Sequence, residues 1–310
     1  MKSGPFTVKL SPQHKPFTDI VGLELGANNL AGIPAVRLRK REGKTELLAV
    51  GFLNLPGLLP ETDSPALATP EHWSLPHPFR APYAALAITS KLAFLRHATG
   101  LGDEGDKKQA DFRSVSRMIA PDLPALVAGL PEFQAAWAAR LLPEGKSPTA
   151  CSLQLSSAAA MSGFTASPVF TSVAGTAVAL FVFPDYTALA SFHESKLVLY
   201  REYPVGYTHL RMAVSTQMRI EPSLADSLLE DTLIDPTPMI EPVLRPLFRQ
   251  VEISSDYLQR RRNCQVKHFF VCGLPSGVKY WSAIFSQMIN LPLTTFSPFD
   301  GLEKAVRMTR

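Results

Sequence analysis

The sequence predicts an α/β protein of two lobes with a small inserted subdomain. Three observations carry that expectation. Strand meanders open the chain near residue 18 and again near residue 175, and each leads into further strands and helices. The stretch between them, residues 98–165, is more polar and has a different hydrophobic spacing. The length of 310 residues exceeds what one ordinary core organises. The expected division is 1–97 for the first lobe, 98–165 for the insert, and 166–310 for the second lobe with its closing elements. A cleft between lobes is where a ligand is sought.

The elements follow in order. "DIVGLELGA" is nearly continuous in apolar residues and reads as a buried strand. "IPAVRLRK" alternates as a second strand, with Leu38 facing inward and Arg37 and Arg39 outward. "EGK" is a turn and "TELLAVGFLNL" a third strand. Residues 55–82, rich in Pro, Ser and Thr, read as a long surface segment. "APYAALAITSKLAFLRHA" offers strands at 83–89 and 91–97. In the insert, "ADFRSVSRMIA" shows helical spacing at Phe112, Val115 and Ile119. "PEFQAAWAARLL" repeats it at Phe133, Trp137 and Leu141.

The second meander is "GTAVALFVF", "TALASFHES" and "KLVLYREYPVG". A helix starts near Tyr207 with Leu210, Ala213, Val214 and Met218 on one stripe, and Ser223 is the expected cap of the next. The clearest helix is 238–260, where Ile240, Val243, Leu244, Leu247, Phe248, Val251, Ser255 and Leu258 keep three-four spacing. Pro242 is tolerable in a first turn, but Pro246 should kink the helix or delay its start. Strand "KHFFVCG", turn "LPSG", helix "VKYWSAIFSQMIN" and strand "LPLTTF" close the chain.

Composition excludes several classes. The chain is 46% hydrophobic and 19% charged, a globular balance. Its net charge of +4 is scattered apart from Arg37, Arg39, Lys40, Arg41 and Lys44, and Arg260-Arg261-Arg262. These read as solvated faces, with an anionic lipid or acidic partner as the alternative. No aromatic residues interleave with them, so nucleic acid is not expected. Cys151, Cys264 and Cys272 form no zinc pattern and suit a reduced cytoplasmic protein. The seven histidines, His14, His72, His77 and His97 among them, show no metal-ligand spacing. The longest apolar run, "VAGTAVALFVF", has 11 residues, against about 20 for a membrane span. Neither a Gly-x-Ser-x-Gly elbow nor a Gly-x4-Gly-Lys-Ser/Thr loop occurs.

Four segments in this order carry a resemblance: "DIVGLELGANNLAGIPAV", "TELLAVGFLNLPGLLPE", "TALASFHESKLVLYREYPVGYTHL" and "SSDYLQRRRNCQVKHFFVCGLPSGVKYWSAIFSQMINLPLTTFSPFDGL". Together they resemble the PilM family of actin-like type IV pilus assembly proteins, relatives of FtsA. Arg201 and Gly206 match that family's Arg-x4-Gly, Ser254 to Tyr257 its helix end, and Pro298-Phe299 its closing Pro-Phe. The resemblance spans about residues 18–302 and implies an actin-like, ribonuclease H-like fold.

It also implies a nucleotide site, and that site is altered. Glu24 stands where the family has Asp, Gly26 keeps the tight turn, and Asn28 and Asn29 follow, with Asn29 replacing a Ser and Ala31 a Lys. The second phosphate turn lacks the family's Asp-x-Gly, has bulky Phe181 and Phe183, and keeps only Thr187. The adenosine turn keeps Gly273 but carries Pro275. The expectation is a remnant site at Glu24, Gly26, Asn28, Asn29, Thr187 and Gly273, with no required cofactor. ATP with Mg is the alternative ligand.

The function implied is a cytoplasmic scaffold for a type IV pilus-like or type II secretion-like apparatus. It would be peripheral at the inner membrane and hold the cytoplasmic N-terminal peptide of a single-span, PilN-like partner. Phe112, Val115, Phe133 and Trp137 are the candidate groove residues, with plain core packing as the competing reading. Self-association stays open. The alternative function is an actin-like protein switched by ATP. An FtsA-like membrane-recruited filament is disfavoured, because the tail "GLEKAVRMTR" is short and only mildly amphipathic.

Overall fold

The structure, a computed structural model, describes residues 18–26, 32–54, 59–62, 74–97, 111–117, 125–142, 147–230, 234–273, 284, 286, 287, 289, 293–299 and 302–304. The chain divides into two compact units. Unit 1 is Met1–Ala159 with Gly301–Arg310, and unit 2 is Ala160–Asp300.

Unit 1 is built on a sheet of β1 (Asp19–Gly26), β2 (Ile33–Arg41), β3 (Lys44–Leu53), β4 (Tyr83–Thr89), β8 (Thr149–Leu155) and β14 (Glu303–Lys304). Its order is β14-β3-β2-β1-β4-β8. β1, β2 and β3 pair antiparallel, while β4 and β8 add in parallel. The β2–β3 hairpin closes on Glu42 and Gly43, both at positive φ, which suits the strand twist. β8 was expected inside the insert; it is the fifth strand of this sheet.

One face of the sheet presents Val21, Leu23, Leu25, Ala84, Leu86 and Ile88, all buried. Two layers cover it. One is the Pro-rich segment, through Leu59, Leu75 and the short 3-10 turn at Phe79. The other is α1 (Glu132–Leu141), through Ala135, Trp137, Ala138 and Leu141. Gln134 ties the layers together, its buried side-chain amide donating to the Pro60 carbonyl at 2.7 Å. The described parts of the Pro-rich stretch, 59–62 and 74–82, are thus a structural layer.

The register reverses the expected facing of β2. Val21 lies opposite Arg37 and Asp19 opposite Arg39, so both arginines share the covered face, and Leu38 lies on the other. Arg37 forks onto Asp19 at 2.9 and 2.7 Å and reaches the Pro78 carbonyl at 3.3 Å. Arg39 adds a bond to Asp19 at 3.0 Å. The alternation was right, but its phase is set by pairing with a half-buried carboxylate rather than by solvation.

The insert is a sheet of β5 (Phe94–His97), β7 (Leu126–Pro131) and β6 (Phe112–Arg117) in the order β5-β7-β6, all antiparallel. The helix expected at Phe112 and Val115 is therefore a strand. "FRSVSR" has few strong helix formers, and the three-residue spacing spans too short a window to decide the period. Ile119 lies outside the described residues.

Unit 2 repeats the strand order of unit 1. β9 (Thr176–Val182), β10 (Thr187–His193) and β11 (Lys196–Tyr203) form an antiparallel meander, and β12 (Val266–Cys272) and β13 (Leu293–Thr295) add in parallel. The order is β11-β10-β9-β12-β13. Numbered from its own first strand, the unit 2 sheet reads 3-2-1-4-5, and the unit 1 sheet reads the same with β14 added outside its third strand; this is the actin-like, ribonuclease H-like arrangement the sequence predicts. All seven residues of β9 are buried, because both of its faces are covered. On one side Phe164 of α2 (Ser156–Thr165) is fully buried, with ring centroids 5.0–5.9 Å from Phe170, Phe181, Phe192, Phe270 and Phe296. Phe170 belongs to the short α3 (Pro168–Thr171). On the other side lie α4 (Tyr207–Met218), α5 (Pro222–Glu230) and α6 (Thr237–Arg262).

Four helix details differ from expectation. Met218 is exposed, and Ser215 takes its place beside Leu210 and Val214. Pro222 opens α5, so Ser223 lies inside it. α6 starts at Thr237 with both Pro242 and Pro246 inside. Both prolines lie on the exposed side, while Ile240, Leu244, Leu247, Phe248, Val251 and Leu258 hold the buried stripe, so packing carries the helix through. Ser254, not Ser255, completes that stripe. It bonds Arg201 at 3.1 Å and Tyr203 at 3.0 Å, so two separate segments of the resemblance meet as a tie between β11 and α6. Of the expected helix 278–290, Ile284, Ser286, Gln287 and Ile289 are described and are helical.

The Asp19 fork gives unit 1 a pH dependence. Burial alone would raise the Asp19 carboxyl, but its bonds to Arg37 and Arg39 outweigh that and hold it below 3.8. A carboxyl depressed on folding contributes stability that is full above the unfolded value and lost as pH falls through the folded one. In Arg37→Met, burial acts with less opposition. Circular dichroism against pH should show acid unfolding beginning at higher pH, with about 1–3 kcal/mol lost at neutral pH. An unchanged acid midpoint would remove the fork from the account of stability.

Candidate functional site

The sequence-predicted site residues fall on both units. In unit 1, Glu24 lies on β1 beside β4, and the Thr89 hydroxyl donates to its carboxylate at 2.8 Å. Gly26 ends β1 and is buried. Asn28 and Asn29 lie outside the described residues.

In unit 2, Thr187 opens β10. It is 1% exposed, and its hydroxyl donates to the Val205 carbonyl at 2.6 Å. That bond fastens the connection from β11 to α4. Phe181 points into the phenylalanine cluster, away from the turn. Phe183 stacks on Tyr186 at 4.6 Å, closing the four-residue turn between β9 and β10, and the Phe183 amide donates to the Tyr186 carbonyl at 2.9 Å. Pro184 has no amide to offer. Two of the four turn residues therefore have no donor for a phosphate.

The start of α4 is closed in the same way. The Tyr207 and Thr208 amides donate to the Phe183 and Pro184 carbonyls at 2.9 and 2.8 Å. The Gly206 amide donates to His209 Nδ1 at 3.1 Å, and the His209 amide returns to the Gly206 carbonyl. The donors that make a helix start attractive to an anion are used inside the protein. The contact needs glycine at 206 for space. Its φ of −134° suits any residue, but a Cβ would stand 2.4–2.5 Å from Phe183 O, Pro184 O and Tyr186 N.

Gly273, just past β12, has φ +90°, and a Cβ there would stand 2.2 Å from Val182 O. Beside it a recess of about 470 Å³ is lined by Val182, Phe183, Pro184, Tyr207, Asp226, Glu230 and Gly273. The Tyr207 hydroxyl donates to Asp226 at 3.0 Å, and Arg211 reaches the same carboxylate at 3.4 Å. Burial, the Asp226 bond and the charges of Asp226 and Glu230 push the Tyr207 phenol well above its ordinary range, so it stays a neutral donor. Sequence reasoning missed Tyr207, Asp226 and Glu230. The available signal was the i, i+4 spacing of two acids in "ADSLLE".

The groove candidates separate. Phe112 and Val115 are three apart on a strand, so they point to opposite faces of the insert sheet. Phe112 lies 5.7 Å from Phe94, whose ring covers Gly129 and carries Arg96 over it at 4.9 Å. Val115 is 54% exposed. Phe133 is half-buried on α1, and Trp137 is in the core of unit 1. No described helix is long and apolar enough to cross a membrane.

No family model matches the sequence, and neither does any curated protein. Solved structures do match. A PilM–PilN type IV pilus biogenesis complex superposes with TM-score 0.68 at 14% identity over 93% of this chain and 91% of that one. A Bacteroides thetaiotaomicron protein of actin-like ATPase fold and unknown function gives 0.48 at 10% over 91% of each. MreB 5 of Spiroplasma citri bound to AMPPNP gives 0.47 at 11% over 90% and 91%. The first likeness, with the repeated 3-2-1-4-5 sheets, establishes a PilM-like, actin-like fold.

The glycine contacts can be checked directly. Gly206→Ala should lower the stability of unit 2 by about 1–3 kcal/mol, since backbone rather than a flexible side chain must yield. Chemical denaturation reads the loss. Wild-type stability would show that the turn moves freely away from α4.

Proposed function

We propose that this chain is a cytoplasmic scaffold of a type IV pilus-like or type II secretion-like assembly. It binds the cytoplasmic N-terminal peptide of a PilN-like, single-span inner-membrane protein and sits at the membrane through that partner. The observation that carries the reading is the likeness to a PilM–PilN complex along 93% of the chain. The docking face we assign is the aromatic side of the insert sheet, where Phe94 and Phe112 stand beside Gly129. β6 is an edge strand there, and a sheet edge with neighbouring apolar side chains is a recurring way to hold an extended peptide. Val115 belongs to the opposite face, and Trp137 supports the unit from within.

The experiment is calorimetry of the protein with a synthetic peptide of the cytoplasmic N-terminus of a PilN protein. Phe112→Ser should weaken binding about tenfold, the scale of one lost apolar anchor. Trp137→Ala should cost about 3–5 kcal/mol of stability while the folded fraction keeps its affinity. Affinity that follows Trp137 and ignores Phe112 would move the groove elsewhere.

Nucleotide binding without hydrolysis is the second reading, and the recess beside Gly273 favours it. Tyr207, Asp226 and Glu230 there suit hydroxyl groups better than phosphates. The closed turn at Phe183 and the altered first turn speak against phosphate chemistry. Titration with Mg-ATP and with adenosine separates the possibilities. The expected result is no heat with Mg-ATP at millimolar concentration. Binding tighter than about 10 μM, or roughly 7 kcal/mol, would put the ATP-switched reading first.

A further inference from the structure

The C-terminal half of α6 turns an uncommon combination outward. Ile253 is 46% exposed and Tyr257 39% exposed, though both are large and apolar. Spacings of four, seven and eight place Tyr257, Arg260 and Arg261 on the face of Ile253, with Arg249 one turn before it. Arg201 of β11 lies over the Tyr257 ring at 5.8 Å and fixes it from the side. The acids on this stretch are Glu252 and Asp256, and Asp256 reaches Arg260 at 3.4 Å in the open.

The nearby end of the sheet extends the charge. His193 pairs with Thr176 and Lys196, and Val266 with Thr176, so the starts of β11 and β12 lie at the same end of the sheet, with β10 and β9 between them. Lys196 and Lys267 are exposed there, with Glu194 as the acid of that row. A run of arginines at a helix C-terminus alone complements the helix dipole. Exposed apolar side chains within the run, and lysines from two strands, go beyond that.

We propose that this face, Ile253 and Tyr257 set among Arg249, Arg260 and Arg261, lays unit 2 against an anionic phospholipid bilayer. Cations attracted to a negative surface, with an aliphatic and an amphipathic aromatic side chain at headgroup depth, are what an interfacial helix uses. The face is the convex outside of a helix whose backbone is already hydrogen-bonded, so it offers an extended peptide no edge. A bilayer needs none. This contact is independent of the peptide face on the insert.

The test is co-sedimentation of the intact chain with vesicles containing phosphatidylglycerol, against vesicles of phosphatidylcholine alone. Binding should occur only with the anionic vesicles and weaken as salt rises. Arg260→Glu with Arg261→Glu should reduce it about tenfold or more, and Ile253→Ser several-fold, which charge alone does not predict. If the double variant melts early, Arg249→Gln with Arg261→Gln makes the same comparison at milder charge. Equal retention of all variants, or none of the wild type, overturns the proposal. So does capture of polyglutamate or DNA as strong as that of the vesicles with Ile253→Ser inert, which would assign the face to an acidic macromolecule.

Discussion

Unit 2 depends on a close approach between backbones at two glycines. At Gly206 the chain passes so near the 183–186 turn that a methyl group has no room, and at Gly273 it passes equally near the end of β9. Buried backbone groups must be paired, and this approach pairs them: the start of α4 donates to the turn, and the turn donates to itself. Turn and helix start therefore stabilise the fold with the donors an anion would need. The stack of Phe183 on Tyr186 follows from the same closure.

Unit 1 resolves a similar competition through side chains. A carboxylate at the edge of an apolar face is costly unless paired, and Asp19 is met by two guanidinium groups. That pairing decides which way β2 faces. It also anchors the Pro-rich layer through Pro78, so one ion cluster joins strand register to the covering of the sheet. Glu24 is likewise engaged by Thr89, as its position inside a parallel pair requires.

Much of this was legible in the sequence. Both meanders, α1, α4 and α6, and the closing strands follow from periodicity, because long amphipathic or fully buried segments leave a strong signal. What failed was local or non-local in identifiable ways. β6 is six residues long, and its neighbour β7 makes it a strand; no window over "FRSVSR" contains that neighbour. The phase of β2 depended on Asp19, eighteen residues before Arg37. α6 ran through Pro246 because its buried stripe outweighs one missing bond on the exposed side. The recess at Tyr207 joins α4, α5 and the end of β12, and only the fold brings them together. Glu24 and Gly273 stood out in the sequence as remnant nucleotide positions; what the structure places at them is a threonine partner and a carbonyl 2.2 Å from a would-be Cβ.

A ligand shifts a conformation only by binding one state better than another. For a phosphate to use the turn after β9, the Phe183 and Pro184 carbonyls would have to release α4, at about 1–3 kcal/mol for each group left buried and unpaired. A base and sugar entering the recess would displace neither, since Tyr207 and the two carboxylates already border open volume. The two halves of nucleotide recognition, linked in a working switch, are thus energetically separate in this chain. On the proposed reading, control rests on which surfaces are occupied. A peptide on the insert and a bilayer on α6 both bind groups that folding leaves outward, and neither needs the donors that hold α4 to its turn.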